Sequence, residues 1–258
     1  MSDVVDIASR DNPLLVRLRK LARTPGAYRK LGAVWLEGEH LCQALHSRGR
    51  GAAQALVSES AWREPALREL AQHAKRVTRV SDALFAKVSS LDSPGGIGFV
   101  IDTPAAQALT PGVASVVLDR VQDAGNVGSI LRSAAAFGFR QVLALKGTAA
   151  LWSPKVLRAG MGAHFGLQLA EGLDLVVLDA LTVPLIVTSS HQGELIQNLK
   201  LPKPCAWALG HEGQGVCEAL MARAVLSVRI GQPGGEESLN VAAAAAICLH
   251  ASAVAATP

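Results

Sequence analysis

Three polar, glycine-bearing stretches hold residues whose types and spacing could do chemistry. The first, "GGEESLNVAAAAAICLHA" at 234–251, sets Glu236, Glu237, Ser238 and Asn240 between two glycines and a run of five alanines. Alanine-rich sequence forms helix readily, and one Ser or Asn suffices to cap a free backbone N–H at its start. Four polar residues exceed what a cap needs, so Ser238 and Asn240 could instead orient a reacting hydroxyl or line a cationic ligand. The second stretch is "DRVQDAGNVGSILRSAAAFG" at 119–138. Gly125, Asn126 and Gly128 break the chain there, Asn126 reads as an N-cap or turn former, and "SILRSAAAFG" runs on as helix. Arg132 falls within about two turns of the helix start. It is either a surface arginine or, beside a helix end that favours anions, a phosphate grip. The third stretch is "GHEGQG" at 210–215, whose three glycines let backbone approach a ligand closely. A plain turn fits that loop equally well, and Glu212 in it could cap the next helix or pair with a cation. The loop matches neither the dinucleotide fingerprint nor the phosphate-binding P-loop.

The elements that must position these residues follow from β-rich runs. "SVVLD", "QVLAL", "PLIVTSS", "CAWALG" and "VLSVRI" alternate with helical or glycine-rich stretches in the second half. That alternation predicts an α/β fold with a mostly parallel sheet flanked by helices. Ligands in such sheets gather at the carboxyl ends of the strands, and the three polar loops follow strands one, four and five of this series. The first half reads as a smaller α/β unit. "NPLLVRLRKLAR" is an amphipathic helix, "AVWLEGEHLCQAL" a strand, a turn at Gly38 and a helix, "AQALVS", "KRVTRVS" and "IGFVID" further strands, and "LFAKVSSL" a short helix. "TPAAQALTPG" at 103–112, uncharged and with two prolines, is the expected linker. The predicted domains are therefore 1–102 and 113–258.

Composition narrows the partners. The chain has 258 residues, half of them hydrophobic, enough for two cores. Cys42, Cys205, Cys217 and Cys248 are scattered, with no CxxC pair and no histidine at metal spacing, as expected of thiols in a reducing cytoplasm. No metal is called for. The N-terminus lacks the pattern of a signal peptide, and "VAAAAAICL" is far short of the roughly 20 residues of a membrane span. Residues 1–105 carry 15 Lys/Arg and 11 Asp/Glu, whereas 106–258 carry 10 of each. The excess positive charge is densest at 9–30, with seven Lys/Arg against one Asp. Such a stripe suits a polyanion such as RNA, or is simply a solvated helix face. Few aromatic residues argue against a base-stacking platform.

Taken in order, the three loops resemble the motifs of the SpoU/TrmH family of RNA 2′-O-ribose methyltransferases, within the SPOUT superfamily. "DAGNVGSILRSAAAFG" matches the first motif, "LGHEGQGV" the second and "EESLNVAAAAAI" the third. The first half is similar to the family's substrate-binding domain, with "SRDNPLLVRLRKL", "AVWLEGEHLCQAL" and "SPGGIGFV" at the matching places.

The resemblance implies a second domain tied in a deep trefoil knot, which general topology would have argued against. It implies a homodimer with the active site near the subunit interface. It also implies S-adenosylmethionine as cofactor, lined by Gly210, Ile230 and Leu239, and RNA as substrate, ribosomal rather than transfer RNA. Asn126, Arg132, Glu212, Ser238 and Asn240 are then the catalytic set. Arg132 is often given the role of base in this family, but a guanidinium is effectively always protonated, which favours a phosphate and oxyanion clamp. Departures from the family pattern are Ala124 for a proline, "IGQ" at 230–232 for Ile-Pro-Met, Gly160 for a serine and Gly96 for a glutamine. The alternatives are a transfer-RNA ribose methyltransferase or a catalytically weakened RNA-binding member, motivated by the altered "IGQ" wall.

Overall fold

The computed structural model describes residues 4–105, 107–189, 192–234 and 238–254. The chain divides into two compact units, at Ala105/Ala106, with Trp152–Phe165 belonging to the first unit although it lies within the sequence of the second.

The first unit runs β1 (Val4–Asp6), α1 (Pro13–Arg23), α2 (Ala27–Leu31), β2 (Ala33–Glu37), α3 (Glu39–His46), β3 (Gln54–Ser58), α4 (Glu59–Arg63), α5 (Pro65–Gln72), β4 (Val77–Val80), α6 (Asp82–Val88) and β5 (Ile97–Asp102). Its sheet has the order β1-β4-β3-β5-β2, parallel across β1, β4 and β3 and antiparallel at β5. Sequence and structure agree on α1, where the Asn12 side chain accepts from Leu14 N at 2.9 Å and Pro13 takes the first turn. Leu15, Leu18 and Leu21 face the core. Four elements carried too little periodicity to be read: β1, only three residues long, the five-residue α2, and α4 and α5, which follow β3 without a glycine break.

The second unit contains β6 (Ser115–Leu118), α7 (Ala124–Ala136) and β7 (Gln141–Leu145). The chain then gives α8 (Pro154–Gly160) to the first unit. It returns through β8 (Gln168–Leu173), β9 (Leu185–Thr188), β10 (Glu194–Leu195), β11 (Ala206–Leu209), α9 (Glu218–Met221), β12 (Leu226–Arg229) and α10 (Val241–Val254). All described pairings in this sheet are parallel, in the order β10-β12-β9-β11-β6-β7-β8.

A parallel sheet covered on both faces needs strands apolar on both sides. β6, β7 and β11 meet that condition, every residue being buried. α10 packs against α7 and β11, and the fully buried Trp207 donates its indole N–H to Ser252 Oγ at 2.9 Å. That bond fixes the last helix to the middle of the sheet. Cys42, Cys205, Cys217 and Cys248 are free thiols. Among the described residues no helix is long and apolar enough to cross a membrane.

Candidate active site

The parallel register brings the ends of β6, β11 and β12 to the same edge of the sheet, with Leu118 beside Leu209 and Val228 beside Thr188. Each end opens into one of the polar loops. α7 begins at Ala124, earlier than the sequence suggested, so Gly125, Asn126 and Gly128 lie inside its first turns. Asn126 is therefore not the N-cap. Asp123 is: its carboxylate accepts from Asn126 N at 2.8 Å. This frees the Asn126 side chain, which a capping residue would have used on its own backbone.

The freed amide joins the three motifs. Asn126 Nδ2 donates to Glu212 Oε1 at 3.1 Å, and Asn126 Oδ1 accepts from Asn240 Nδ2 at 3.0 Å. Asn240 Oδ1 in turn accepts from Ala242 N at 2.9 Å and Ala243 N at 3.2 Å, so Asn240 caps α10. Each amide thus donates toward Glu212 and accepts from the α10 side, which polarises the row in one sense. Glu212 also takes the backbone N–H of Asp123 at 3.0 Å and Gln122 at 3.2 Å. Desolvation pushes its carboxyl pKa up, but the bonds from the Asn126 side chain and from neighbouring backbone N–H groups outweigh it and hold the pKa below 4.5.

The turn presenting Glu212 is tight. His211 and Gly215 exchange backbone bonds of 3.0 and 2.8 Å, and His211 Nδ1 accepts from Gly213 N and Gln214 N. Gly210 is demanded by this closure: a Cβ there would sit 2.1 Å from Gly215 C and Val216 N. Its lack of a side chain serves the turn's own backbone.

Comparison with known proteins now decides the family. Residues 114–250 match the model of the SpoU rRNA Methylase family. The chain belongs to the SpoU rRNA methylase family. It is 31% identical to an uncharacterized tRNA/rRNA methyltransferase of Synechocystis, over 96% of this chain and 93% of that protein. It is also 31% identical to the 23S rRNA (guanosine(2553)-2′-O)-methyltransferase of Bacillus subtilis, over 86% and 88%. The crystal structure of an RNA 2′-O ribose methyltransferase superposes with a TM-score of 0.80 at 29% identity, covering 96% of this chain and 98% of that one.

Within the SpoU frame, the remaining expected residues sit at the same loops without joining the hydrogen-bonded row. Gly210 and Ile230 directly follow β11 and β12, and Ile230 is half-buried. Leu239, next to Asn240, is 40% exposed, an apolar side chain open at the site. Ser238 is exposed and, among the described residues, makes no hydrogen bond. Arg132 is likewise exposed on α7, with no hydrogen bond or ion pair among them. Glu236 and Glu237 lie outside the described residues. Of the departures, Gly231 has room for a side chain. A Cβ there would meet Leu195 and Gln197 at ordinary contact distances of 3.6 and 3.8 Å, so this position does not require glycine.

Sequence reasoning missed two residues that hold the 210–217 turn against the end of β6, Asp119 and Arg120. Asp119, 2% exposed at the end of β6, accepts from Cys217 N at 2.7 Å and from the Arg120 guanidinium at 2.9 and 3.3 Å. Burial pulls the Asp119 pKa up, and the bonds from Arg120 and Cys217 bring it below 3.8. An acid and a base in adjacent positions at a strand end, "LDR", were the only available signal.

Proposed function

We propose that the chain transfers a methyl group from S-adenosylmethionine to a ribose 2′-hydroxyl of ribosomal RNA. The observation that carries this is the unbroken row Glu212–Asn126–Asn240, one residue from each of the three family motifs. Nothing in the packing of the core asks the exposed Glu212 and Asn240 and the half-buried Asn126, from three separate segments, to meet.

The chemistry of the donor set fits the cofactor. Backbone groups after β11 and β12, the half-buried Ile230 and the open Leu239 offer an apolar and hydrogen-bonding wall of the kind an adenosyl group needs. When bound, S-adenosylmethionine supplies an electrophilic methyl group carried on a sulfonium. Asn126, held at both ends of its amide, keeps one N–H and one lone pair to orient the ribose. Arg132, permanently charged and without a partner among the described residues, grips the adjacent phosphate and stabilises the oxyanion as the hydroxyl gives its proton to solvent water. Ser238 lies within reach in sequence of Asn240 to orient the same hydroxyl. Positioning supplies much of the rate for such an in-line displacement.

Ribosomal RNA is the substrate in keeping with the family description. The exposed Arg17, Lys20 and Arg23 form one face of α1 and have no carboxylate partner among the described residues. They would track a phosphate backbone. A homodimer is supported by α10, which exposes Ala243, Ile247, His250 and Val254 in one stripe with no Asp, Glu, Lys or Arg on the helix, Ile247 at 40% and Val254 at 52%. A trefoil knot is in keeping with the strand order, in which β11 lies between β6 and β9 and β12 lies beyond β9. The enzyme would work in the cytoplasm.

The test is methyl incorporation from labelled S-adenosylmethionine into ribosomal RNA, with a matched transcript carrying a 2′-deoxy substitution at the mapped site. Transfer to the deoxy transcript at that nucleotide overturns the reading. Calorimetry with the cofactor separates an active enzyme from a binding-only relative.

A further inference from the structure

Arg120 occupies a backbone conformation that its side chain disfavours. Its φ is +57°, in the left-handed region where Cβ crowds the following carbonyl oxygen. Glycine would sit there without strain, so the arginine side chain must return something. It stands at the end of β6, between β7 on one side and β11 on the other. Its stem lies over Gly147, just after β7, where a Cβ would come within 3.0 Å of Arg120 Cγ. Its head forks onto the buried Asp119 and sends Nη1 to Gln214 Oε1 at 2.9 Å, in the turn after β11 and 94 residues along the chain. Asp119 itself holds Cys217 N. One acid–base pair therefore secures the 210–217 turn at its middle and at its end.

We propose that Arg120 is a positioning residue of the methyltransferase: its grip on Gln214 sets the turn that carries Gly210 and presents Glu212 to Asn126. This rests on the functional reading above, in which that turn lines the cofactor. A purely structural pair would need only Asp119. The contact to Gln214 does nothing for burial, since both atoms are at an exposed position, and its value lies in fixing the turn. Arginine is suited to the task because its planar fork turns Nε and Nη2 to the carboxylate and a third nitrogen, Nη1, to Gln214, whereas lysine has a single nitrogen on a flexible stem.

The test uses four single variants and one double variant of the full chain. S-adenosylmethionine affinity is read by calorimetry, and backbone hydrogen exchange over 211–217 is read in its absence. Gln214→Leu leaves the Arg120–Asp119 pair intact, keeps the melting temperature and weakens cofactor binding about tenfold, the scale of one charge-assisted bond. Arg120→Gly weakens it at least as much and also lowers the melting temperature, because the buried Asp119 carboxylate loses its guanidinium. Arg120→Gly with Gln214→Leu is no worse for the cofactor than Arg120→Gly alone. Gln214→Glu keeps an acceptor and stays within about twofold of wild type, whereas Arg120→Lys behaves like Gln214→Leu. Exchange over 211–217 quickens in each weakened variant. Wild-type affinity and exchange in Arg120→Gly, or losses that multiply in the double variant, overturn the proposal. A wild-type chain that binds no cofactor would instead overturn the functional reading, and the exchange data would still decide whether Arg120 holds the turn.

Discussion

Asn240 Nδ2 lies 3.0 Å from Asn126 Oδ1, a direct bond between residues 114 positions apart. The same Asn240 caps α10 through its Oδ1. One side chain thus closes a helix and completes the row to Glu212, so the two duties can be separated by substitution. Asn240→Asp keeps the capping oxygen but loses the donor to Asn126. It is expected to change stability by less than about 0.5 kcal/mol while lowering kcat at least tenfold. Asn240→Ala should lose the same activity and a further ~1 kcal/mol of stability. Steady-state kinetics beside urea unfolding checks both, and an active Asn240→Asp would detach Asn240 from the chemistry.

Arg132→Ala should abolish nearly all turnover, by about 10² or more, the usual loss when one oxyanion-stabilising group is removed. Because Arg132 is exposed and without a partner among the described residues, stability should stay within about 0.5 kcal/mol. Cofactor affinity should be near wild type. Single-turnover methylation alongside calorimetry makes the comparison.

Gly210→Ala should be far more damaging than its size suggests. The added carbon would overlap backbone atoms of Gly215 and Val216 at 2.1 Å, and backbone cannot swing aside as a side chain can. A loss of roughly 1–3 kcal/mol is expected from overpacking, together with loss of cofactor binding. Thermal unfolding and calorimetry report the two effects.

Acid should loosen the site in a defined direction. Glu212 and Asp119 both have pKa values held below their ordinary 4.5 and 3.8. Each therefore binds protons more readily unfolded than folded, so its contribution is present above the ordinary value and is lost as pH falls through the lower, folded one. Unfolding midpoints should drop below about pH 4.5, and Glu212→Gln should remove part of that dependence. An unchanged acid limb in Glu212→Gln would show that its bonds add nothing to cohesion.

Neutralising Arg17, Lys20 and Arg23 together should weaken RNA binding uniformly across sequences. The slope of log affinity against log salt should shrink by about 2–3, at 0.7–0.9 for each lost phosphate contact. Filter binding at several salt concentrations measures this without truncating the first unit, whose integrity includes Trp152–Phe165.

The amino-acid sequence determined by itself many of the pieces this protein is made of, though not short or weakly patterned ones such as β1, β8 and β10. Apolar runs such as "SVVLD" and "CAWALG" must be buried strands, and Leu15, Leu18 and Leu21 at helical spacing must be a buried helix face, because burial periodicity is local. It also marked the three loops, since glycine and polar residues crowd only where backbone or ligand demands them. Tertiary structure alone decided how those loops meet. That the Asn126 side chain bridges Glu212 and Asn240, and that Arg120 reaches Gln214, depend on strands β6, β11, β9 and β12 lying in that order in the sheet. A hydrogen bond between residues some 90 to 110 positions apart leaves no periodic trace in the chain. It is set by the order of strands in the sheet, a property of packing that no local window contains.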